Sequence, residues 1–230
     1  MRAVLANSLG LDQFAVHDYR DLPKNIPENC AVQIHWYREP HFQRFLSSNK
    51  FHIIVLARHP LDVLISALRF AKYEPDVSRW LDGNVEIPSH VIDKSPVSAE
   101  FLQYATSWGA ENLLSVTYQW WHDPSVLKAK YEDIVLDPIR EFSRLVDRLN
   151  EAPSELNAAI NKFSLPTFQN TPNKHGWQGC PGLWRQLIPF IDALQIYKRH
   201  RNFFNLLGYS IHPTLLSRRS AQRNWQRLST

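Results

Sequence analysis

The chain has few cysteines, and its histidines follow no metal-binding pattern. Cys30 and Cys180 are the only two cysteines, and neither belongs to a C-x-x-C pair, so we expect both to be reduced. The ten histidines show no H-x-x-x-H or H-E-x-x-H spacing, the patterns typical of zinc sites. We therefore predict no metal cofactor and histidines that are scattered over surface and core.

Long apolar runs and the common nucleotide motifs are also missing. No run of 18 apolar residues occurs, so no segment is suited to span a membrane. No secretory signal is visible, and we expect a cytoplasmic protein. The phosphate motif G-x-x-x-x-G-K-[ST] is absent, as is any internal repeat.

The positive charge is concentrated at the C-terminus. The chain of 230 residues has a net charge of +4, and seven Lys/Arg but no acid follow Asp192. We predict one domain over residues 1–212 and a basic, solvated or poorly ordered tail over residues 213–230. Its four arginines are Arg218, Arg219, Arg223 and Arg227. No helix-turn-helix, zinc-finger or RNP signature accompanies them, and we expect no nucleic-acid partner.

The stretch from Phe51 to Leu68 contains the main structural signal. Phe51–Ala57 is apolar, rich in β-branched residues and too short for a helix, which predicts a strand buried on both faces. Pro60 at the first helical position and Asp62 in the first turn then indicate a helix start. Apolar residues follow at helical spacing: Leu61, Leu64, Ile65 and Leu68. The pattern predicts a strand that runs directly into a helix.

Arg58 lies at the point where this strand gives way to the helix. Backbone N–H groups and the positive end of the helix dipole meet at such a turn and suit an anion. The guanidinium fork suits phosphate, and the Ser66 hydroxyl, about two helical turns further on, would add a donor. The other interpretation is that Arg58 pairs with a local acid such as Asp62 and that Ser66 is merely a small helix residue.

The neighbouring segments predict an α/β fold with a parallel sheet flanked by helices. Residues 31–34 indicate a strand that ends in His35, and residues 41–46 indicate a short helix. Strand, helix, strand, helix at these lengths implies right-handed crossovers, so we expect His35 and Arg58 at the same sheet edge. The other predicted segments are helices over 1–11, 98–121, 137–149, 153–163 and 189–207, a strand over 126–131, and a loop over 12–30.

Two of these segments resemble the PAPS-dependent sulfotransferases. This family moves a sulfuryl group from 3′-phosphoadenosine 5′-phosphosulfate (PAPS) to an acceptor. Its R-D-P-x-D-x-x-x-S segment is similar to the residues from Arg58 to Ser66, with His59 in place of the first Asp. Its catalytic His, in a segment like K-T-H-L-P, precedes that Arg by some 23 residues, and His35 precedes Arg58 by 23.

Two later segments extend the resemblance. Lys130–Ile134 with the following Asp137–Pro138 is similar to the family's R-Y-E-D-L segment, whose Tyr lies near the adenine. Lys174–Gly179 is similar to the loop R-K-G-x-x-G, which closes over the 3′-phosphate, although Lys and His replace the usual Arg and Lys.

The resemblance implies a P-loop NTPase-like fold and a role for each matched residue. Arg58 and Ser66 would bind the 3′-phosphate of PAPS, and His35 would accept the proton of an acceptor hydroxyl. A structural histidine is the other interpretation of His35. Tyr131 would lie near the base, and the loop from Lys174 through His175 to Gly176 would complete the phosphate site.

One part of the family pattern is not found in the sequence. The family begins with a strand and a loop like P-x-S-G-T-T-W that holds the 5′-phosphosulfate, whereas Met1–Leu11 resembles the helix that follows that loop. We expect the fold to lack its first strand. Two hypotheses follow: a sulfotransferase whose start lies too far downstream, or an inactive remnant that serves as a binding or scaffold protein.

The acceptor is not determined by the sequence. The long segment over residues 73–97 and the tryptophans at 80, 108, 120, 121 and 177 would line an acceptor pocket or pack the core. The acceptor classes that remain open include small molecules and glycans. A P-loop kinase relative would require an acidic Mg²⁺ ligand at a strand end, but the predicted strands end in His35, Arg58 and Tyr131, so we discount that class.

Overall fold

The structure is a computed structural model in which residues 1–73, 80–85, 87–164 and 177–229 are described. The chain forms two compact units, each assembled from two stretches that are distant in the sequence. Unit 1 consists of Met1–Ala57 and His122–Gly179, and unit 2 consists of Arg58–Trp121 and Cys180–Thr230. The residues predicted to form the site are therefore distributed over both units.

The strands of unit 1 form two parallel pairs. Strand β1 (Asp12–Ala15) pairs with β2 (Cys30–Gln33), and β3 (Ile54–Ala57) pairs with β4 (Leu127–Lys130). Parallel pairing requires a crossover between partners. The α/β class with parallel strands predicted from the sequence is confirmed. The predicted sheet edge shared by His35 and Arg58 is not seen in the described residues, because β2 and β3 belong to different pairs.

Strands β1 and β3 differ from the predictions in detail. The region of β1 was predicted to be a loop; the strand is short, and three of its four residues are exposed, so it carries no apolar alternation. Strand β3 begins three residues later than predicted. Val55 and Ala57 are buried in it. Ile54 and Leu56 are only partly buried against the core of unit 1, so the strand is not buried on both faces.

The helices of unit 1 surround one apolar cluster. Buried residues of α1 (Arg2–Leu9), β4, α8 (Pro138–Leu149) and α9 (Leu156–Lys162) form it: Val4, Leu5, Ala129, Phe142, Leu145, Val146 and Ala159. Asp137 caps α8 by accepting the Arg140 N–H at 3.1 Å, and Gly10 ends α1 at a φ of 66°, a conformation that glycine adopts without strain. The helices of this unit are α1 (Arg2–Leu9), α2 (Pro40–Ser48), α7 (Tyr131–Leu136), α8 (Pro138–Leu149) and α9 (Leu156–Lys162).

Unit 2 is helical and has its own core. Its most deeply buried large side chains include Leu61, Leu64, Phe101, Trp184, Leu187, Ile188, Ile196 and Phe204. Its helices are α3 (Pro60–Ala71), α4 (Ser89–Ile92), α5 (Ala99–Ala105), α6 (Trp108–Trp121), α10 (Trp184–Leu187), α11 (Phe190–Arg199), α12 (Arg201–Leu207) and α13 (Arg218–Ser229).

The helix predicted over residues 98–121 is divided into α5 and α6. Ser98 caps α5 by accepting the Phe101 N–H at 3.0 Å. The Thr106 hydroxyl then donates to the Leu102 carbonyl, and the Ser107 hydroxyl accepts the Ala110 N–H. Hydroxyl side chains that bond to nearby backbone groups favour helix ends over helix interiors, which explains the break.

The basic tail forms a helix instead of a poorly ordered segment. Helix α13 is attached to unit 2 through Ala221, which is completely buried, and through an ion pair of 2.6 Å between Arg218 and Asp192. The Asn224 amide also donates to the Gln186 carbonyl at 2.9 Å. The composition of the tail does not predict these contacts, because the residues that α13 contacts lie in or next to other helices.

Candidate active site

Arg58 occupies the turn that the sequence predicted. It follows Ala57, the last residue of β3, and α3 begins two residues later at Pro60. The side chain of the N-cap residue His59 makes no capping hydrogen bond to the helix. The first intrahelical bond runs from the Val63 N–H to the His59 carbonyl at 3.0 Å. Arg58 is half-buried. The turn thus presents a guanidinium beside the positive end of a helix of 12 residues.

Ser66 lies on the less buried side of the same helix. Leu61, Leu64 and Leu68 are completely buried, whereas Ser66 and Val63 keep accessible surface. Ser66 is six residues, or about 9 Å of helix rise, from Pro60. Its hydroxyl can therefore donate to a ligand that extends along this side of α3.

Asp62, in the first turn of α3, contacts a segment that is distant in the sequence. Its carboxylate is 1% exposed and accepts two backbone N–H groups, from Gly182 at 2.7 Å and from Trp184 at 2.8 Å. From the sequence, Asp62 was interpreted as a helix-start acid or a partner of Arg58. No local signal indicates these bonds, because they join residues 120 and 122 positions apart.

His59 is packed among aromatic rings next to this contact. Its imidazole stacks on Trp184 at 5.1 Å between centroids and meets Phe204 and Tyr209 edge-on. Its Nε2 lies 3.2 Å from the Ser210 carbonyl, and because a carbonyl only accepts, Nε2 carries the proton. His59, which replaces the first Asp of the sulfotransferase motif, is thus packed among aromatic rings.

In unit 1, His35 follows β2 by two residues and is exposed. Reduced solvation of the imidazole lowers the pKa of His35, and the positive charge of His17 lowers it further. The next residue, Trp36, is 3% exposed and donates its Nε1–H to Glu39 at 2.9 Å. The backbone that carries His35 is therefore attached to the protein at the adjacent residue.

A second attachment holds the segment after His35. Arg38 pairs with Asp123 at 2.7 Å. Hydrogen bonds from the Ser125 hydroxyl and backbone N–H, followed by that from Arg38, lower the pKa of Asp123 to about 2. The carboxylate therefore stays ionised over the physiological range, and the pair with Arg38 persists with it.

Tyr131 also lies at the carboxyl end of a strand. It directly follows β4 and is the first residue of α7, with Lys130 as the N-cap. Its side chain is half-buried. Unit 1 therefore carries His35 and Tyr131 at strand ends, and unit 2 carries Arg58 and Ser66.

The remaining predicted residues, Lys174, His175 and Gly176, lie outside the described residues. Of the tryptophans named as acceptor-pocket or core residues, Trp120 is buried and Trp108 is 61% exposed. Among the described helices, none combines the length and the apolar content needed to cross a membrane.

Parallel strands that pass into helices at polar residues define an α/β protein. A family model described as the sulfotransferase domain matches residues 10–178. The chain belongs to the sulfotransferase family, as the sequence motifs predicted.

Comparison with solved structures supports the same fold. A crystal structure of retinol dehydratase in complex with androsterone and inactive cofactor PAP is similar to this chain with a TM-score of 0.54 and 17% identity. The match covers 84% of this chain and 57% of the other, so this chain spans less than two thirds of that protein's length. A comparison with curated proteins finds no match.

Proposed function

We propose that this protein transfers a sulfuryl group from PAPS to a hydroxyl or amine of a small-molecule or glycan acceptor. The observation that carries the proposal is the Arg58 turn: a half-buried guanidinium beside the start of α3, with Ser66 on the less buried side of that helix. Guanidinium, hydroxyl and backbone N–H groups are the donors that phosphate prefers.

In this proposal the donor is bound mainly through its nucleotide part. Arg58 and Ser66 bind the 3′-phosphate, together with the loop from Lys174 through His175 to Gly176. Tyr131 lies near the adenine, where its ring offers a stacking surface. No metal is required, because the cationic and N–H donors balance the charge of the phosphates.

His35 is proposed to act as the general base. The acceptor oxygen attacks the sulfur of PAPS, the bond from sulfur to the oxygen of the 5′-phosphate breaks, and 3′-phosphoadenosine 5′-phosphate (PAP) leaves with that electron pair. The acceptor proton passes to His35. A base must be unprotonated before the reaction, and the lowered pKa of His35 keeps its ring neutral at neutral pH.

The proposed transfer depends on positioning and on stabilisation of charge. As in phosphoryl transfer, the moving group lies in line between the attacking and leaving oxygens, and the protein contributes orientation and electrostatic stabilisation. The attachment of the residues after His35, through Trp36–Glu39 and Arg38–Asp123, supports a fixed orientation of the base.

The second candidate function is a binding or scaffold protein without turnover. Binding of PAP with no transfer from labelled PAPS to any acceptor would favour this candidate.

Titration calorimetry with PAP tests the donor site. We expect Arg58→Ala to weaken binding roughly tenfold or more, because a hydrogen bond to a charged group contributes about 1.5–3 kcal/mol. Arg219→Ala, an exposed arginine on α13, is the matched control. Equal affinities of wild type and Arg58→Ala would remove the donor-site assignment, and transfer of labelled sulfuryl groups to a panel of phenols, sterols and glycans would identify the acceptor class.

A further inference from the structure

Two hydrogen bonds join Asp62 to the segment Gly182–Trp184, and they have no role in the proposed chemistry. This pair of hydrogen bonds is called the tie below. The Oδ2 atom of Asp62 accepts the Gly182 N–H and the Oδ1 atom accepts the Trp184 N–H. Both oxygens of a carboxylate that is 1% exposed are thus engaged by backbone donors. Bonds between a charged acceptor and buried donors are stronger than neutral ones, so the tie holds two chain segments in one fixed arrangement.

One end of the tie lies next to the proposed phosphate site. Asp62 is in the first turn of α3, four residues after Arg58, and that turn has no side-chain cap from His59. The bonds from Asp62 therefore contribute to fixing the direction in which α3 begins. A displacement of this turn would displace the Arg58 guanidinium with it.

The other end of the tie is anchored in the core of unit 2. Trp184 is completely buried, begins α10 and stacks on His59 at 5.1 Å. Gly182 adopts a φ of 74°, a conformation that side chains other than glycine rarely adopt. The packing of Trp184 in the core thus fixes this end of the contact.

We propose that Asp62 is a positioning residue, which holds the Arg58 turn in its phosphate-binding orientation by anchoring it to Gly182 and Trp184. The inference rests on the proposed function, because it assigns Asp62 a task in the binding of PAP. Asp62 itself is no phosphate ligand: it carries a negative charge, and its two oxygens accept bonds from the protein.

The effect of Asp62→Asn on PAP binding distinguishes a positioning role of Asp62 from a purely electrostatic one. If Asp62 acted only as a nearby negative charge, replacement by the neutral Asn would remove a repulsion and strengthen the binding of PAP. If Asp62 positions Arg58, Asp62→Asn places an amide NH₂ opposite a backbone N–H, breaks one bond of the tie and weakens binding. The two roles predict opposite changes in the dissociation constant.

The test compares wild type, Asp62→Asn and Asp192→Asn. Asp192 is the matched control, because it is also a buried carboxylate of unit 2, but it pairs with Arg218 on α13. We expect Asp62→Asn to weaken PAP binding about tenfold in calorimetry, since small displacements of binding groups have large effects. Hydrogen exchange measured by mass spectrometry should accelerate at least about tenfold in the peptide over residues 180–187. Asp192→Asn should leave PAP binding as in wild type.

Each outcome decides the proposal. Unchanged or tighter PAP binding by Asp62→Asn overturns it, as does an equal loss in both variants. If wild type does not bind PAP, the proposed function fails, and the proposal with it. If Arg58→Ala loses affinity and Asp62→Asn does not, the proposed function stands and only the positioning role fails.

A measurement on wild type covers the case in which Asp62→Asn does not fold. Saturation with PAP should slow hydrogen exchange in the peptides over residues 58–66 and 180–187 at the same ligand concentration, because the tie couples the two segments. Protection over residues 58–66 without any change over residues 180–187 would overturn the proposal.

Discussion

The Trp184 indole stacks on the His59 imidazole, with ring centroids 5.1 Å apart and planes inclined by 17°. Trp184 is completely buried and His59 is 6% exposed. Since Arg58 precedes His59 in the chain, this ring pair attaches the residue next to the proposed phosphate ligand to the core of unit 2. The stability of unit 2 is therefore expected to depend on Trp184 and His59, and donor binding on the adjacent Arg58.

Trp184→Ala should destabilise the protein strongly. Removing a fully buried Trp costs about 3–5 kcal/mol, from lost burial and the cavity that remains. Urea unfolding measures the change in the free energy of unfolding. The matched control is Trp108→Ala, which removes a side chain that is 61% exposed and should change stability by no more than about 0.5 kcal/mol. Equal effects of the two substitutions would contradict the burial of Trp184.

His35→Asn should remove turnover but leave donor binding intact. A positioned general base contributes roughly 10²–10⁴-fold, and His35 is not a ligand of PAP in the proposed site. The wild-type rate should fall on the acidic side at a pH below about 6.5, the ordinary pKa of histidine, because reduced solvation lowers the pKa of His35. Rates with the identified acceptor and calorimetry with PAP separate the two effects, and a loss of PAP affinity in His35→Asn would contradict the assignment.

His200 should make stability depend on pH. Its ring is 2% exposed and its Nε2 donates to the Ala105 carbonyl at 2.8 Å. Burial is the largest cause that lowers the pKa of His200; Arg199 lowers it further, while the Ala105 carbonyl and Glu111 oppose the shift. The unfolded chain therefore binds the proton more readily, so the free energy of unfolding should fall as the pH drops below about 6.5.

Substitution isolates this contribution of His200. His200→Gln keeps an N–H donor near the Ala105 carbonyl but removes the titrating ring, and it should reduce the slope of unfolding free energy against pH between about pH 5 and 7. His90→Gln, at an exposed position, is the control. A slope in His200→Gln equal to that of wild type would contradict the prediction.

Arg218→Ala should weaken the attachment of α13. Burial raises the pKa of Asp192, and the charge of Arg218 opposes this shift. Removing the cation leaves a carboxylate that is 2% exposed without its ion pair, at a cost of about 1–3 kcal/mol. Arg219→Ala, on the exposed side of the same helix, should have little effect. Limited proteolysis should release the tail faster from Arg218→Ala, and equal cleavage of the two variants would contradict the prediction.

The local signals in the sequence predicted much of the fold. Pro60 begins α3, Asp137 caps α8, and Gly10 and Gly208 end α1 and α12. These signals work because capping and left-handed glycine conformations depend on a few adjacent residues. The strand-to-helix turn at Arg58 was predicted for the same reason.

The errors occurred where non-local contacts decide the structure. Strand β1 forms because Asp12–Ala15 pairs with Cys30–Gln33, although its residues are mostly exposed. The tail is helical because α13 docks through Ala221 and Arg218. Composition and periodicity describe a segment by itself, so neither contact leaves a signal in the segment that it orders.

The Phe51–Leu68 stretch shows which features the sequence determines and which depend on the tertiary structure. The sequence by itself determined the family, the strand-to-helix turn and the residues proposed for chemistry, because spacing within short motifs specifies them. Only the tertiary structure decided that Asp62 bonds to Gly182 and Trp184 and that His59 packs on Trp184. Those partners lie more than 100 residues away, and contacts at that distance arise from the packing of the whole unit, which no local pattern encodes.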